Sequence, residues 1–206
     1  MNERKMDRRA FMGGAVAALV GTSFIGRPSR ATELAGLQGV DRMLKRPTPR
    51  LLVDRMLVRP ARWLRAAGYD AAIPAPTARN VDLVRQAETE GRLIVSTSRK
   101  LAELHAEPRR LVLLAEQRLP AAAAELTTRL GVDWLHDPFT RCLRCNLPVE
   151  VADPAVWWPA PAADRAPLAA VLPLTRCAAC DQLYWKGGHV GRMQARLEAW
   201  AEGRFV

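Results

Sequence analysis

The sequence predicts a parallel, three-layer α/β domain followed by a small four-cysteine zinc module, on three observations. Short apolar runs alternate with helical patterns from Leu51 to Leu130, the pattern of a parallel sheet covered on both faces. The only cysteines form two C-x-x-C pairs, Cys142/Cys145 and Cys177/Cys180, with 31 residues between them. The chain has 206 residues, of which 49% are hydrophobic and 25% charged. That balance is soluble and globular, with room for one medium domain and an appendage.

Residues 1–31 carry the three regions of an export signal. Arg8-Arg9 precede Phe11, an uncharged run of 14 residues extends from Gly13 to Gly26, and Arg27 and Arg30 precede the small residue Ala31. The adjacent arginines resemble the twin-arginine type of leader, which implies the twin-arginine export machinery as a partner. A start codon set too far upstream would also give such a segment. The run falls short of the roughly 20 residues of a membrane span, so no stable transmembrane anchor is expected. Residues 32–50, with Gly36, Gly39, Pro47 and Pro49 and no periodicity, read as a linker.

The α/β domain is expected over 51–138. Leu51–Val53 is its first strand, ending at Asp54. Pro60 to Ala67 follows as a helix, with Pro60 in the first turn and Gly68 as its stop. Tyr69–Ile73 forms a second strand. Asn80 caps a helix that runs through Glu90 to Gly91, and Arg92–Val95 is the third strand. Leu111–Leu114 and Pro120–Leu130, stopped by Gly131, complete the alternation. Ligands of such sheets bind beyond the carboxyl ends of the strands, where Asp54 and Ser96-Thr97-Ser98 fall.

The zinc module is expected over 139–200. Two C-x-x-C knuckles supply four thiolates to one tetrahedral ion, and a closed four-sulfur site of this kind is structural. Two disulfides or a redox-active pair are the other uses of such cysteines. A redox motif leaves the second pair unexplained, and the cysteine content is far below that of a disulfide scaffold. Pro148 to Pro173, with Trp157-Trp158, reads as an irregular excursion. An amphipathic helix carrying Met193, Leu197 and Trp200 closes the module.

The net charge of +10 and pI near 10.4 point to a polyanionic partner, with nucleic acid first. A genome rich in arginine codons would produce the same excess as solvated surface. Trp157, Trp158 and Trp185 offer stacking faces, or the scarce core of a small module.

Several pieces in order resemble the Mut7-C family, whose members are similar to PIN-type nucleases joined to a zinc ribbon. They are Asp54-Arg-Met-Leu57, Ala61-Arg-Trp-Leu-Arg65, Gly68-Tyr-Asp70, Glu90-Gly-Arg92, Arg141-Cys-x-x-Cys145-Asn146, Cys177-x-x-Cys180, and Tyr184-Trp-Lys-Gly-x-His189 with Arg192-Met193. The resemblance implies a PIN-like fold, RNA as partner, and metal-dependent phosphodiester hydrolysis with Mg²⁺ or Mn²⁺. Asp54 matches the first metal-binding acid, with Asp70 and Asp82 as further candidates. Arg62, Arg65 and His189 are the candidates for substrate binding. The resemblance implies a cytoplasmic protein, whereas the leader implies an exported one.

Two acids of the family pattern are replaced. Asn80 opens the second helix where an acid is usual, and Ser98 stands where an aspartate follows the third strand. Asp82 lies two residues beyond Asn80, about 200° around the helix, and so faces away from it. Val58 and Pro60 also depart from the pattern beside Asp54. Three expectations stand on these residues: a ribonuclease with a weakened acidic site, a pseudonuclease that binds RNA without cutting it, or an exported scaffold.

Overall fold

The computed structural model describes residues 48–104, 110–157 and 173–206. The expected leader, most of the linker and Trp158 lie outside the described residues. β1 (Leu51–Val53) leads through Asp54 and a 3-10 turn (Arg55–Leu57) into α1 (Val58–Ala66). The helix thus starts before the expected Pro60, because Asp54 caps a preliminary turn and Pro60 still falls in the first helical turn. Gly68 ends the segment at φ +95°, and a Cβ there would stand 2.3 Å from the Asp137 carbonyl oxygen. The position therefore excludes side chains both by conformation and by space.

β2 (Ala71–Ala72) is shorter than the expected strand, and α2 (Asn80–Glu90) follows it. Arg79, not Asn80, is the N-cap residue, because the Asp82 carboxylate accepts the Arg79 backbone N–H at 3.0 Å. Gly91 and Gly131 take left-handed conformations at helix ends, as expected. β3 (Leu93–Ser96), α3 (Arg99–Leu104), β4 (Leu111–Leu113) and α4 (Leu119–Leu130) complete the alternation.

The four strands form one all-parallel sheet in the order β2-β1-β3-β4. Successive side chains of a strand point to opposite faces. Leu51 and Val53 accordingly pack with α1 and α4, while Leu52 joins Ile94, the α2 residues Leu83, Val84 and Ala87, and Leu101 of α3. The sheet is therefore the middle of three layers.

Beyond it, β5 (Glu150–Val151), β6 (Thr175–Arg176) and β7 (Leu183–Tyr184) make an antiparallel ribbon. The stretch expected to be irregular holds β5 and the short α5 (Pro154–Trp157), because Glu150 and Val151 pair with Arg176 and Thr175. The last helix, α6 (Gly188–Ala201), puts Met193, Leu197 and Trp200 into the core cluster of Leu51, Leu64 and Trp134. The Trp200 ring lies edge-on to Trp63 and Trp134, at 4.9 and 4.8 Å. Chain 47–206 is thus one unit, with the helix beyond the ribbon returning to the sheet layer. No described helix is long and apolar enough to cross a membrane.

Candidate functional site

The two knuckles repeat one local geometry. In the first, the Cys142 N–H donates to the Leu147 carbonyl and the Asn146 N–H to the Cys142 carbonyl. In the second, the Cys177 N–H donates to Gln182 and the Asp181 N–H to Cys177. Each closes on a left-handed residue, Asn146 at φ 67° and Asp181 at φ 52°, a conformation that Asn and Asp tolerate well. The turns bring the ligand atoms of all four cysteines within 4.8 Å of one another. The Cys142 and Cys180 sulfurs are 3.8 Å apart, well beyond the roughly 2.05 Å of a disulfide. It is also the edge of a tetrahedron with metal–sulfur bonds of about 2.3 Å. The donor set fits zinc.

Tyr184 steadies this set. Its hydroxyl accepts the Leu143 N–H at 2.9 Å and lies 3.1 Å from the Cys142 sulfur, to which it donates. Burial, with Cys142 beside it, holds the phenol protonated. The Cys145 N–H also points at the Cys142 sulfur, at 3.3 Å. Although burial disfavours the Cys142 thiolate, these donors outweigh it and pull the thiol below its ordinary range, while hydrogen bonding to Cys180 pushes the Cys145 thiol up. Four sulfur atoms this close together are placed to share one cation.

Asp70 and Arg65 occupy a different environment from the one expected of them. Asp70 immediately precedes β2, and its carbonyl accepts the Leu51 N–H, so it lies at the amino edge of the sheet. Its carboxylate accepts from Arg92 at 2.7 Å, Arg50 at 3.2 Å and the Asn146 side-chain amide at 2.6 Å. Burial opposes ionisation, but these donors prevail and bring the carboxyl down to about 2. Arg92 also holds Glu90 at 2.5 Å and the Leu51 carbonyl at 3.1 Å. The Asn146 Oδ1 accepts the Ala71 N–H at 2.9 Å. Arg65 is 3% exposed and donates to the carbonyls of Ala71, Leu143 and Arg144. The first knuckle is therefore fastened to the sheet through Arg65 and Asn146. A buried guanidinium spent on three carbonyls is not presented to a substrate.

Asp54 stands at the opposite edge, just past β1, where its N–H donates to the Val95 carbonyl. Its Oδ2 accepts the buried Ser96 hydroxyl at 2.5 Å, and its Oδ1 makes a long 3.5 Å contact with the Met56 N–H. Ser96 in turn accepts the Ser98 N–H at 2.9 Å. Asp82 bonds both the backbone and the guanidinium of Arg79, and this pairing lowers its pKa. Strand β1 thus separates Asp54 from Asp70, and Asp82 serves its own helix end. Among the described residues, the four cysteines are the one group of three or more His, Cys, Asp or Glu side chains that could hold a metal.

Arg62 and His189 are brought together. Both line a cleft of about 780 Å³ between α1, β7 and the start of α6. Asn146 is the residue whose role was hidden in the sequence: it follows the second cysteine of its knuckle, but its partners Asp70 and Ala71 are about 75 positions away.

These features define a class: a nuclease-like three-layer α/β domain with a metal-binding cysteine ribbon fastened to the amino edge of its sheet. The chain belongs to the Mut7-C RNAse domain family, whose model matches residues 49–197. No curated protein matches it. No solved structure does either.

Proposed function

We propose that this protein is an RNA-binding member of its family in which binding has outlasted efficient cleavage. The observation that carries the reading is the setting of Asp54, which has a serine hydroxyl for its nearest polar partner. Hard divalent cations are held chiefly by carboxylate oxygens. Asn80 and Ser98 supply uncharged oxygens, Asp82 is taken by Arg79, and Asp70 is neutralised by two arginines on the far edge. The residues at the carboxyl edge fit a resident Mg²⁺ or Mn²⁺ ion poorly. The family's name and the net charge of +10 support RNA as partner.

The cysteine site has a structural part in this reading. Zinc held by Cys142, Cys145, Cys177 and Cys180 fixes the ribbon, and Arg65 and Asn146 pass that rigidity to the sheet. A second reading, a working metal-dependent ribonuclease, is favoured by the position of Asp54 at the carboxyl end of β1. There, one carboxylate and the phosphates of bound RNA would share the ion.

Binding of labelled single-stranded RNA to the zinc-loaded protein, across a salt series and with EDTA or Mn²⁺, tests the proposal. The expected result is salt-sensitive binding that needs no added divalent ion and survives Asp54→Ala. Binding that requires Mn²⁺ and is lost in Asp54→Ala contradicts it.

A further inference from the structure

The cleft that holds Arg62 and His189 carries more than the family match requires. Among the described residues, its lining includes the basic residues Arg62, Arg141, Arg144 and His189, and no Asp or Glu. In a chain with 21 acidic residues, a cleft whose formally charged lining is three arginines is matched to an anion. Its aromatic lining includes Trp63, Tyr184 and Trp185, and the last is 40% exposed. The indole lies close over Gly187, where an added Cβ would stand 3.0 Å from the Trp185 Nε1. The cleft's volume is within the roughly 300–1,000 Å³ range of small-ligand sites.

The cations differ in role. Arg141 is committed to the wall, donating to the carbonyls of Gly68 and Asn146. Arg62 and Arg144 are exposed and also line a second hollow of about 500 Å³. Its lining combines Arg92 and Asn146 of the amino edge with Ile73 beyond β2 and Val58 at the start of α1, four positions after Asp54. Val58 and Arg62 are one helical turn apart, about 6 Å along the axis. The two arginines therefore stand where a hollow that extends past β2 toward the start of α1 meets the aromatic cleft.

We propose that this cleft seats an unstacked base of single-stranded RNA against Trp185, with Arg62 and Arg144 carrying the backbone phosphates that lead to it from that hollow. The inference rests on the RNA-binding reading above and gives it a location. Aromatic faces flanked by arginines are how single strands are held without a sequence code. An acidic peptide would use the cations but not the stacking face.

Fluorescence anisotropy with a labelled ten-nucleotide uridine RNA and the zinc-loaded full chain tests it. Trp185→Ala is expected to weaken binding about tenfold or more, and Arg62→Glu with Arg144→Glu about a hundredfold. Arg85→Glu, on the exposed side of α2, serves as control and changes binding less than about threefold. Unchanged zinc content and circular dichroism establish that each variant is folded. With 4-thiouridine in the RNA, photocrosslinks are expected on the peptide holding Tyr184 to His189. If wild type binds RNA but the cleft variants match it, the cleft is overturned and the RNA reading stands. If wild type itself does not bind RNA at low salt, the functional reading fails first. Displacement of the RNA by an acidic peptide at equal concentration also overturns the proposal, in favour of a protein partner.

Discussion

The two edges of the parallel sheet are built on opposite terms. At the amino edge, Asp70 is gripped by Arg92, Arg50 and Asn146, and Arg65 spans from β2 to the first knuckle. At the carboxyl edge, Asp54 has one serine hydroxyl and one long backbone contact. Several residues that carry the family resemblance, namely Asp70, Glu90, Arg92, Arg65 and Asn146, belong to the first edge. The departures, Asn80, Ser98, Val58 and Pro60, cluster around the second. Much of the family resemblance is therefore carried by residues that join ribbon to sheet, and the proposed loss of cleavage concerns the other edge.

The largest expected effect comes from removing the metal. If zinc fixes the knuckles, Cys177→Ser or chelation releases the ribbon from Arg65 and Asn146 as well. Thermal melts are expected to lose a cooperative transition, or to fall by more than ten degrees or so. Chelation that leaves the melt unchanged would show that the amino edge stands without the ion.

Arg65→Ala comes next. It leaves the buried Ala71 carbonyl and the part-buried carbonyls of Leu143 and Arg144 without this donor, at about 1–3 kcal/mol for the buried group and less for the other two, and so about 2–3 kcal/mol in all. Arg65→Lys is expected to recover little, because a single ammonium cannot reproduce the guanidinium fork. Urea titration measures both.

Asp70→Asn has a smaller, pH-dependent cost. The folded carboxyl titrates at about 2, below its ordinary 3.8, so its stabilising contribution is full above about pH 4 and is lost as pH falls through 2. The urea midpoint of Asp70→Asn should lie below wild type at pH 6, by about 1–2 kcal/mol of stability. The two should converge toward pH 2. A gap that persists at pH 2 would assign the effect to shape rather than charge.

The smallest effect sharpens the other side. Asp54→Asn is expected to change stability by about 1 kcal/mol or less, since among the described residues it has no ion pair to lose. By contrast, Asn80→Asp with Ser98→Asp should add acidic ligands and raise Mn²⁺ affinity at least about tenfold over wild type, as read by calorimetric titration.

Much of this fold was legible because the parallel sheet is encoded locally: β1, β3 and β4 are apolar runs, and Gly91 and Gly131 punctuate the helices. The knuckles were legible for the same reason, since C-x-x-C fixes its own turn. Boundaries moved where a side chain decided them, as when Asp82 made Arg79 the cap in place of Asn80. The substrate role expected of Arg65, and the grouping of Asp70 with Asp54, rest on proximity that sequence spacing does not contain. Asp70 and Asp54 are 16 positions apart, yet they lie at opposite ends of a three-residue strand. The bond from Asn146 to Asp70 spans 76 positions, and no local pattern announces it.

The most direct test of the contrast between the edges is a cleavage assay on labelled single-stranded RNA with the zinc-loaded protein. Mn²⁺ or EDTA is supplied, and Asp54→Ala is run alongside. The account predicts that wild type and Asp54→Ala bind the RNA alike and that neither cuts it efficiently when Mn²⁺ is present. Cleavage that needs Mn²⁺ and disappears in Asp54→Ala would contradict it, and would make Asp54 a working metal ligand at an edge with few acids.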